Sequence, residues 1–325
     1  MSAFKSPIPV GMIASKLLHE LVYYPRMAPK TYSHERFVAA RRATQTLYSD
    51  IFNGGSLVPS EWVHPFWEAQ RKPIEAYLKS DFPENFIYSP VLRWMVSRGL
   101  GRDVMLYREI HLKNSDEPLR TFLKSFCDSK VGKPQVESRQ FLCSANTLYH
   151  LFYLSRLFAH SKELADGKPK TIVEFGGGYG NLARILRTFL PNVTYIIVDL
   201  PEIVCFQYLF LRLNFAELDI PVHYRGEISI APGTFNLVPL PNLKELNIDS
   251  SDLFISTFAL TETSVPLQAH VAKNNFYNAR SAYITGSYHE QWNRLKSVAL
   301  FKDAFPNFAL KDMEVPKRYE FMGMR

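Results

Sequence analysis

The chain is poor in cysteine: Cys127, Cys143 and Cys205 are all it has in 325 residues, and none stands in CxxC spacing. That pattern excludes a disulfide framework and a cysteine zinc site, and it fits a reducing compartment. Each cysteine reads as a small buried apolar residue. The sequence also lacks any uninterrupted apolar run long enough to cross a bilayer. Its N-terminal stretch is interrupted by Pro7 and Pro9 and carries Lys16, His19 and Glu20, so it does not read as a signal peptide. A cytoplasmic location is the expectation. Charge is modest and unclustered: the net value is +7, and charged residues make up 21%. No basic run resembles a nucleic-acid arm. Scattered Lys and Arg describe a solvated basic surface; an acidic partner, such as a phosphorylated or nucleotide-linked substrate, is the sharper reading. No set of His, Asp and Glu has metal-ligand spacing. Val131-Gly132-Lys133-Pro134 lacks the earlier glycine and the Ser/Thr of a phosphate loop. Internal repeats and low-complexity tracts are missing too.

What is there centres on Lys170 to Glu202, KTIVEFGGGYGNLARILRTFLPNVTYIIVDLPE. Thr171 to Phe175 is a short apolar run rich in β-branched residues, with Glu174 near its end. Gly176, Gly177, Gly178 and Gly180 crowd one turn. From Asn181, Leu182, Ile185, Leu186 and Phe189 recur at helical spacing. Pro191-Asn192 breaks that helix, and Val193 to Val198 is a second apolar run closed by Asp199. Continuous apolar runs suit parallel strands covered on both faces. The stretch therefore predicts strand, glycine turn, helix, strand, which is half of a nucleotide-binding βαβ unit. The glycines let the backbone approach a ligand, and the helix N-terminus aims unpaired N–H groups at it.

Residues 1–165 show no βαβ rhythm. Helical spacing appears over Met12–Val22, Phe37–Ile51, Trp67–Leu78, Pro90–Arg98 and Ser138–His160, separated by proline and glycine turns. The aromatic cluster Trp62, Phe66 and Trp67 reads first as core or interface anchors and second as a stacking surface for a sugar or base. After Asp199, Ile203–Phe215 predicts a buried helix. Pro221–Arg225 and Phe235–Leu240 are competing strand candidates for one place in the sheet. Asp252–Leu260 predicts a buried strand, with Glu262 just past it, and Pro266–Asn275 a helix. Ala282–Ser287 predicts another strand, followed by His289. Phe308–Val315 and Tyr319–Met324 predict a terminal hairpin. The expected fold is α/β: an α-helical N-terminal region over residues 1–165, then a doubly wound Rossmann-like sheet over 166–325 ending in an antiparallel hairpin. Ligands of such sheets lie beyond the carboxyl ends of the strands. Glu174, the glycines, Asp199, Glu262 and His289 all fall there.

Two nucleotides fit the turn. Gly178-Tyr179-Gly180-Asn181-Leu182-Ala183 satisfies G-x-G-x-x-A, with Asp199 about 20 residues on, as in NAD- or FAD-binding units. The frame Glu174-x-Gly176-x-Gly178-x-Gly180 also resembles the E/D-x-G-x-G-x-G signature of class I S-adenosylmethionine (SAM) methyltransferases. An acid ahead of the glycines suits an ammonium and repels a pyrophosphate. VEFGGGYGNLARIL followed by YIIVDLPEIVCFQYLFL resembles the bacterial sugar O-methyltransferase family, as does NTLYHLFYLSRL before it. DLFISTFALTET is similar to a segment of that family, departing from it at Ser256, where Asn is usual, at Ala259-Leu260, where Ser-Phe is usual, and at Thr263, where Met is usual. The resemblance spans about residues 146–287.

The resemblance implies a SAM-dependent O-methyltransferase, cofactor SAM, with S-adenosylhomocysteine (SAH) as product. Residues 166–325 become the SAM-binding domain. The turn, Gly176, Gly178 and Gly180, would hold the methionine end, and Glu174 its ammonium. Asp199 would take the ribose hydroxyls and Leu200 the adenine face. Tyr179 would cover the methionine part or simply pack. A hydroxyl acceptor needs a base, and Glu262 and His289 are the candidates. The expected partner is a small-molecule or glycan acceptor, with no nucleic acid and no stable membrane insertion. The N-terminal helices are expected to cover the site or to make a homodimer contact. An NAD-dependent oxidoreductase and a catalytically idle SAM-fold partner protein are the competing readings.

Overall fold

The structure is a computed structural model describing residues 32–54, 58–96, 101–288, 294–315 and 317–325, with the single positions 22 and 25. The helix expected over Met12–Val22 and the candidate His289 lie outside the described residues.

The N-terminal half is helical, and its turn residues decide where each helix starts. Helix α1 (His34–Asn53) begins at Ser33, whose hydroxyl accepts from Arg36 N, which satisfies one of the orphan donors of the first turn. Helix α2 (Pro65–Lys79) starts with Pro65 and is capped by the His64 ring. A 3-10 turn at Ser60–Trp62 precedes it, and Phe86–Tyr88 and Pro90–Met95 are further 3-10 turns. Helices α3 (Arg102–Lys113) and α4 (Leu119–Ser125) follow. The long helix expected from Ser138 begins only at Ala145: α5 spans Ala145–His160. Ser138 and Cys143 pair as a β-bridge instead. The Ser144 hydroxyl caps Thr147 N, while Asp128 Oδ2 takes the Ser144 N–H. The polar groups before the helix are thus committed elsewhere. A short α6 (Lys162–Ala165) leads to the sheet.

The sheet has seven strands: β1 (Thr171–Phe175), β2 (Thr194–Asp199), β3 (Phe235–Pro239), β4 (Ser251–Thr257), β5 (Ala279–Ser287), β6 (Asn307–Asp312) and β7 (Arg318–Met324). Their order is β3-β2-β1-β4-β5-β7-β6. Strands β1 to β5 run parallel, and β7 lies antiparallel between β5 and β6. This is the doubly wound, Rossmann-like sheet with a C-terminal hairpin. Of the two competing strand candidates, Phe235–Pro239 holds the place beside β2, and Pro221–Arg225 contributes one bridge, Val222 to Leu237. The connecting helices are α7 (Asn181–Phe189), α8 (Pro201–Asn214), α9 (Val265–Lys273) and α10 (Arg294–Ala304).

The early helices share one hydrophobic core with the sheet. Helix α1 packs along α8, and Phe82 and Phe86 both meet Phe206 of α8, at 5.6 and 6.1 Å between centroids. Phe37, Phe82, Phe86 and Phe206 are at most 1% exposed. Burying a side chain of this size contributes about 1.5–3 kcal/mol, so this cluster fastens the helices over the strands' carboxyl ends. The order of the chain changes at β1, and there the sheet reverses: β2 lies on one side and β4 on the other. Such a switch point opens a crevice.

Candidate functional site

That crevice is a cavity of about 590 Å³. Along the sheet rim it presents Asp199 (β2), Glu174 and the glycine turn (β1), Glu262 (after β4), Ser287 (β5) and Arg318 (β7). Strands lie about 4.8 Å apart, so Asp199 and Arg318, four strands apart, stand on the order of 19 Å from each other along the rim.

On the β1–β2 side, backbone geometry dictates the residues. Gly176 has φ +79, and a Cβ on it would stand 1.8 Å from the Ala259 Cβ; turn and β4 loop touch there, and only glycine fits. Gly178 has φ +55 with its nearest obstacle, Met95 O, at 3.5 Å, so conformation rather than space requires glycine. Gly180, φ +94, is the N-cap of α7 and backs onto Leu211 and Phe210. Tyr179 lines the cavity but is only 4% exposed. Its hydroxyl accepts from Asn146 Nδ2 at 3.0 Å and its ring meets Phe210 edge-on at 4.9 Å. Tyr179 is thus packed into its surroundings while bordering the cavity.

Two carboxyls accompany the turn. Glu174 is buried and accepts from Tyr195 OH at 3.0 Å. Burial pushes its pKa up to about 8, against the Tyr195 hydrogen bond, with Asp199 repelling in the same direction as burial. Asp199 accepts from Leu200 N at 2.8 Å and from Gln207 Nε2 at 2.7 Å. Burial pushes it up to about 7. Among the described residues no cation pairs with either acid. Leu200, 9% exposed, lines the cavity beside Asp199.

Gln207 is a residue that sequence reasoning missed. Its amide donates to Gly178 O at 3.0 Å as well as to Asp199, so one side chain from α8 fixes the turn and the acid together. The available signal was a lone amide in the otherwise apolar run IVCFQYLFL. His150, a weaker base candidate than Glu262 or His289 on the sequence, stands on the cavity wall. Asn181 Nδ2 donates to Thr147 Oγ1 and to His150 Nδ1, each at 3.1 Å, while Asn181 Oδ1 accepts from Arg184 Nε at 3.0 Å. His150 Nδ1 is thus an acceptor, and the ring proton sits on Nε2. Burial and the Arg184 and Arg108 charges push His150 down to about 3, so it is neutral near pH 7. Arg184 is anchored in turn on buried Asp128 at 2.8 Å.

The β4–β7 side is assembled from distant segments. Phe258, φ +73, turns the chain sharply after β4, a conformation a bulky residue adopts only when its surroundings enforce it. Ser256 does part of that: its hydroxyl donates to Phe175 O and accepts from Leu260 N, each at 2.9 Å. This serine clamps β4 to β1. The 3-10 turn Leu260–Glu262 then delivers Glu262 into the cavity. Burial pushes Glu262 up to about 7, against the hydrogen-bonding Trp67 side chain and the Arg318 charge. Trp62, Phe66, Trp67 and Tyr149 complete an aromatic wall. Trp62, 5% exposed, also meets the His270 ring at a tilt, 4.9 Å between centroids, so the aromatic cluster serves core and cavity at once. Arg318 left no sequence signal, because only the sheet order brings β7 beside β5. Among the described residues, no three His, Cys, Asp or Glu side chains converge as metal ligands.

The cavity thus brings together Glu174, Gly176, Gly178, Tyr179, Asp199, Leu200 and Glu262. Gly180 stands behind it, and His289 lies outside the described residues. No helix among the described residues is long and apolar enough to cross a membrane.

No protein-family profile and no curated protein matches the chain. Solved structures similar to it include PigF with SAH, 14% identical, covering 55% of this chain and 58% of that one, with a TM-score of 0.34. An O-methyltransferase family protein from Burkholderia thailandensis is 12% identical, covers 56% and 60%, and has a TM-score of 0.36. The N-terminal domain of human METTL16 in complex with SAH is 13% identical, covers 76% and 96%, and has a TM-score of 0.39. The chain spans 58% and 60% of the length of the first two. Similarity of this degree carries no argument about what the cavity binds.

Proposed function

We propose that the protein is a SAM-dependent methyltransferase that moves a methyl group to a hydroxyl, that of a sugar or glycosylated metabolite, and releases SAH. The observation that carries this reading is the pair Glu174 and Asp199, two acids at the glycine turn with no cation within ion-pair distance among the described residues. Such carboxyls gain from an incoming cation, which favours their ionised forms, whereas an incoming pyrophosphate would hold them protonated and gain no charge pairing. The residues fit SAM: Glu174 is the acid that would take the ammonium, Asp199 keeps lone pairs for ribose hydroxyls, and Gly178 leaves room for close backbone approach, while Gly176 seats the turn against Ala259.

When bound, SAM supplies an electrophilic methyl on a cationic sulfonium. Gln207 and the turn hold their half of the cavity rigid, and positioning of the reacting groups supplies much of the rate. Glu262, on the other side of the Gly176–Ala259 contact, takes the proton from the acceptor hydroxyl as general base. The aromatic wall of Trp62, Phe66 and Trp67 suits the apolar face of a sugar ring and keeps water from Glu262. Residues before Lys170 supply that wall, so the N-terminal helices serve as the cover that selects the acceptor.

Calorimetric titration with SAM, SAH and NAD tests the reading. SAM and SAH are expected to bind and NAD not; binding of NAD alone would sink it.

A further inference from the structure

We propose that the acceptor is an anionic sugar, carrying a carboxylate or a phosphate, and that Arg318 holds that anionic group. The inference rests on the methyl-transfer reading and deepens it.

Arg318 opens β7 opposite Ser287 of β5, and both line the cavity on the side away from Asp199. Its guanidinium donates to the Tyr149 hydroxyl and lies over the Phe258 ring at 4.8 Å. It is therefore fixed in direction before any ligand arrives, which lowers the entropy cost of using it. Four other inward-facing arginines have a carboxylate of their own: Arg71 with Glu202 at 3.0 Å, Arg108 with Glu314 at 2.6 Å, Arg184 with Asp128 at 2.8 Å, and Arg156 with Glu320; buried Arg187 instead donates to the Val193 carbonyl at 2.7 Å, away from the cavity. Arg108 is the instructive neighbour. It stacks on the same Tyr149 ring, at 3.5 Å, yet it is paired. Among the described residues no carboxylate lies within ion-pair distance of Arg318.

The acid that feels Arg318 is Glu262, the base of the proposed reaction. An anion delivered by the acceptor neutralises Arg318 without occupying Glu262, and it relieves the pull that weakens Glu262 as a base. A guanidinium is suited to this task because its planar fork matches carboxylate and phosphate oxygens two at a time. The basic surface, net charge +7, favours the approach of such a substrate.

The test is calorimetry on protein saturated with SAH, titrated with D-glucuronate, D-glucose 6-phosphate, inorganic phosphate and D-glucose. At least one anionic sugar is expected to bind tenfold or more tightly than glucose, and the tighter of the two distinguishes carboxylate from phosphate. Arg318→Gln is expected to erase that preference while SAH affinity stays within twofold. Arg318→Lys should keep part of it. Tyr149→Phe, which retains the ring but frees the guanidinium, should weaken anion binding by a smaller factor, and it serves where Arg318→Gln fails to fold. Equal binding of glucose, no binding of any anion, or an anion preference surviving Arg318→Gln would overturn the proposal. Failure of SAH itself to bind would instead refute the methyl-transfer reading, so the two failures are told apart.

Discussion

The two halves of the cavity are built by opposite means. The half at β1 and β2 comes from 34 consecutive residues, Glu174 to Gln207, and its geometry is set by backbone: three glycines at positive φ, a helix start and two strand ends. The half at β4, β5 and β7 is gathered from segments far apart in the chain: Trp62 and Trp67, Tyr149, Phe258 and Glu262, and Arg318. There, side chains set the geometry. A backbone-built half tolerates almost no substitution but carries one fixed ligand shape. A side-chain-built half can be re-cut residue by residue, which suits the part that chooses an acceptor. The halves meet where Gly176 touches Ala259.

The hardest blow to the comparison is Gly178→Leu. A Cβ finds space there, with Met95 O at 3.5 Å, so the fold should survive. The longer side chain enters the cavity and the backbone is held at φ +55. Cofactor binding is expected to vanish in a calorimetric titration, while the thermal melt falls only by the few degrees that about 1–2 kcal/mol of left-handed strain removes. Retained affinity would show that the turn is not the cofactor's seat.

Glu262→Gln probes the other half. SAM affinity should stay within about twofold, and turnover should fall by about 10² to 10⁴, the usual worth of a general base. In the wild type the base must be ionised, and burial has raised its pKa to about 7. Turnover is therefore expected to rise with pH through about 7 and then level off. A rate flat from pH 6 to pH 8 would remove Glu262 from that role.

Asp128→Asn attacks the joint between the early segments and the glycine turn. Asp128 accepts from Ser129 N, Ser144 N, Thr147 Oγ1 and Arg184, and Arg184 holds Asn181 at the start of α7. Removing one charge of such a buried pair costs about 3–5 kcal/mol. Denaturant unfolding should show that loss. If stability changes by less than about 1 kcal/mol, the network does not fasten the two regions.

This contrast also explains what the sequence reveals. The glycine turn, Glu174 and Asp199 are readable because spacing within one βαβ unit fixes them. The parallel strands are readable as apolar runs, and the hairpin as two short strands about a Pro-Lys turn. Glu262 is readable because it follows a strand end. Arg318 is not, since its place depends on sheet order, and His150 is only weakly so, because its setting comes from a buried hydrogen-bond chain through Asn181 and Arg184. The helix starts at Ala145 and not at Ser138, as its spacing suggests, because Ser138 pairs with Cys143 and Ser144 with Asp128.

The smallest effect is the most specific to the cofactor half. Glu174 is pushed up to about 8 by burial, so near pH 7 it is mostly protonated. A ligand ammonium beside it favours the ionised form and lowers that value. Binding of SAM or SAH at pH 7 should therefore release up to about one proton per site. Asp199, near 7 and meeting hydroxyls rather than a cation, contributes less. By linkage, affinity should rise with pH and level off above about 8, once Glu174 is ionised in the free protein as well. Titrations at pH 7 in phosphate and in Tris, whose ionisation enthalpies differ widely, measure the released proton as a difference in observed heat. Glu174→Gln should abolish that difference and weaken binding. Equal heats in the two buffers would mean that no cation comes to rest on Glu174, and the electrostatic ground for preferring SAM over a dinucleotide would be gone.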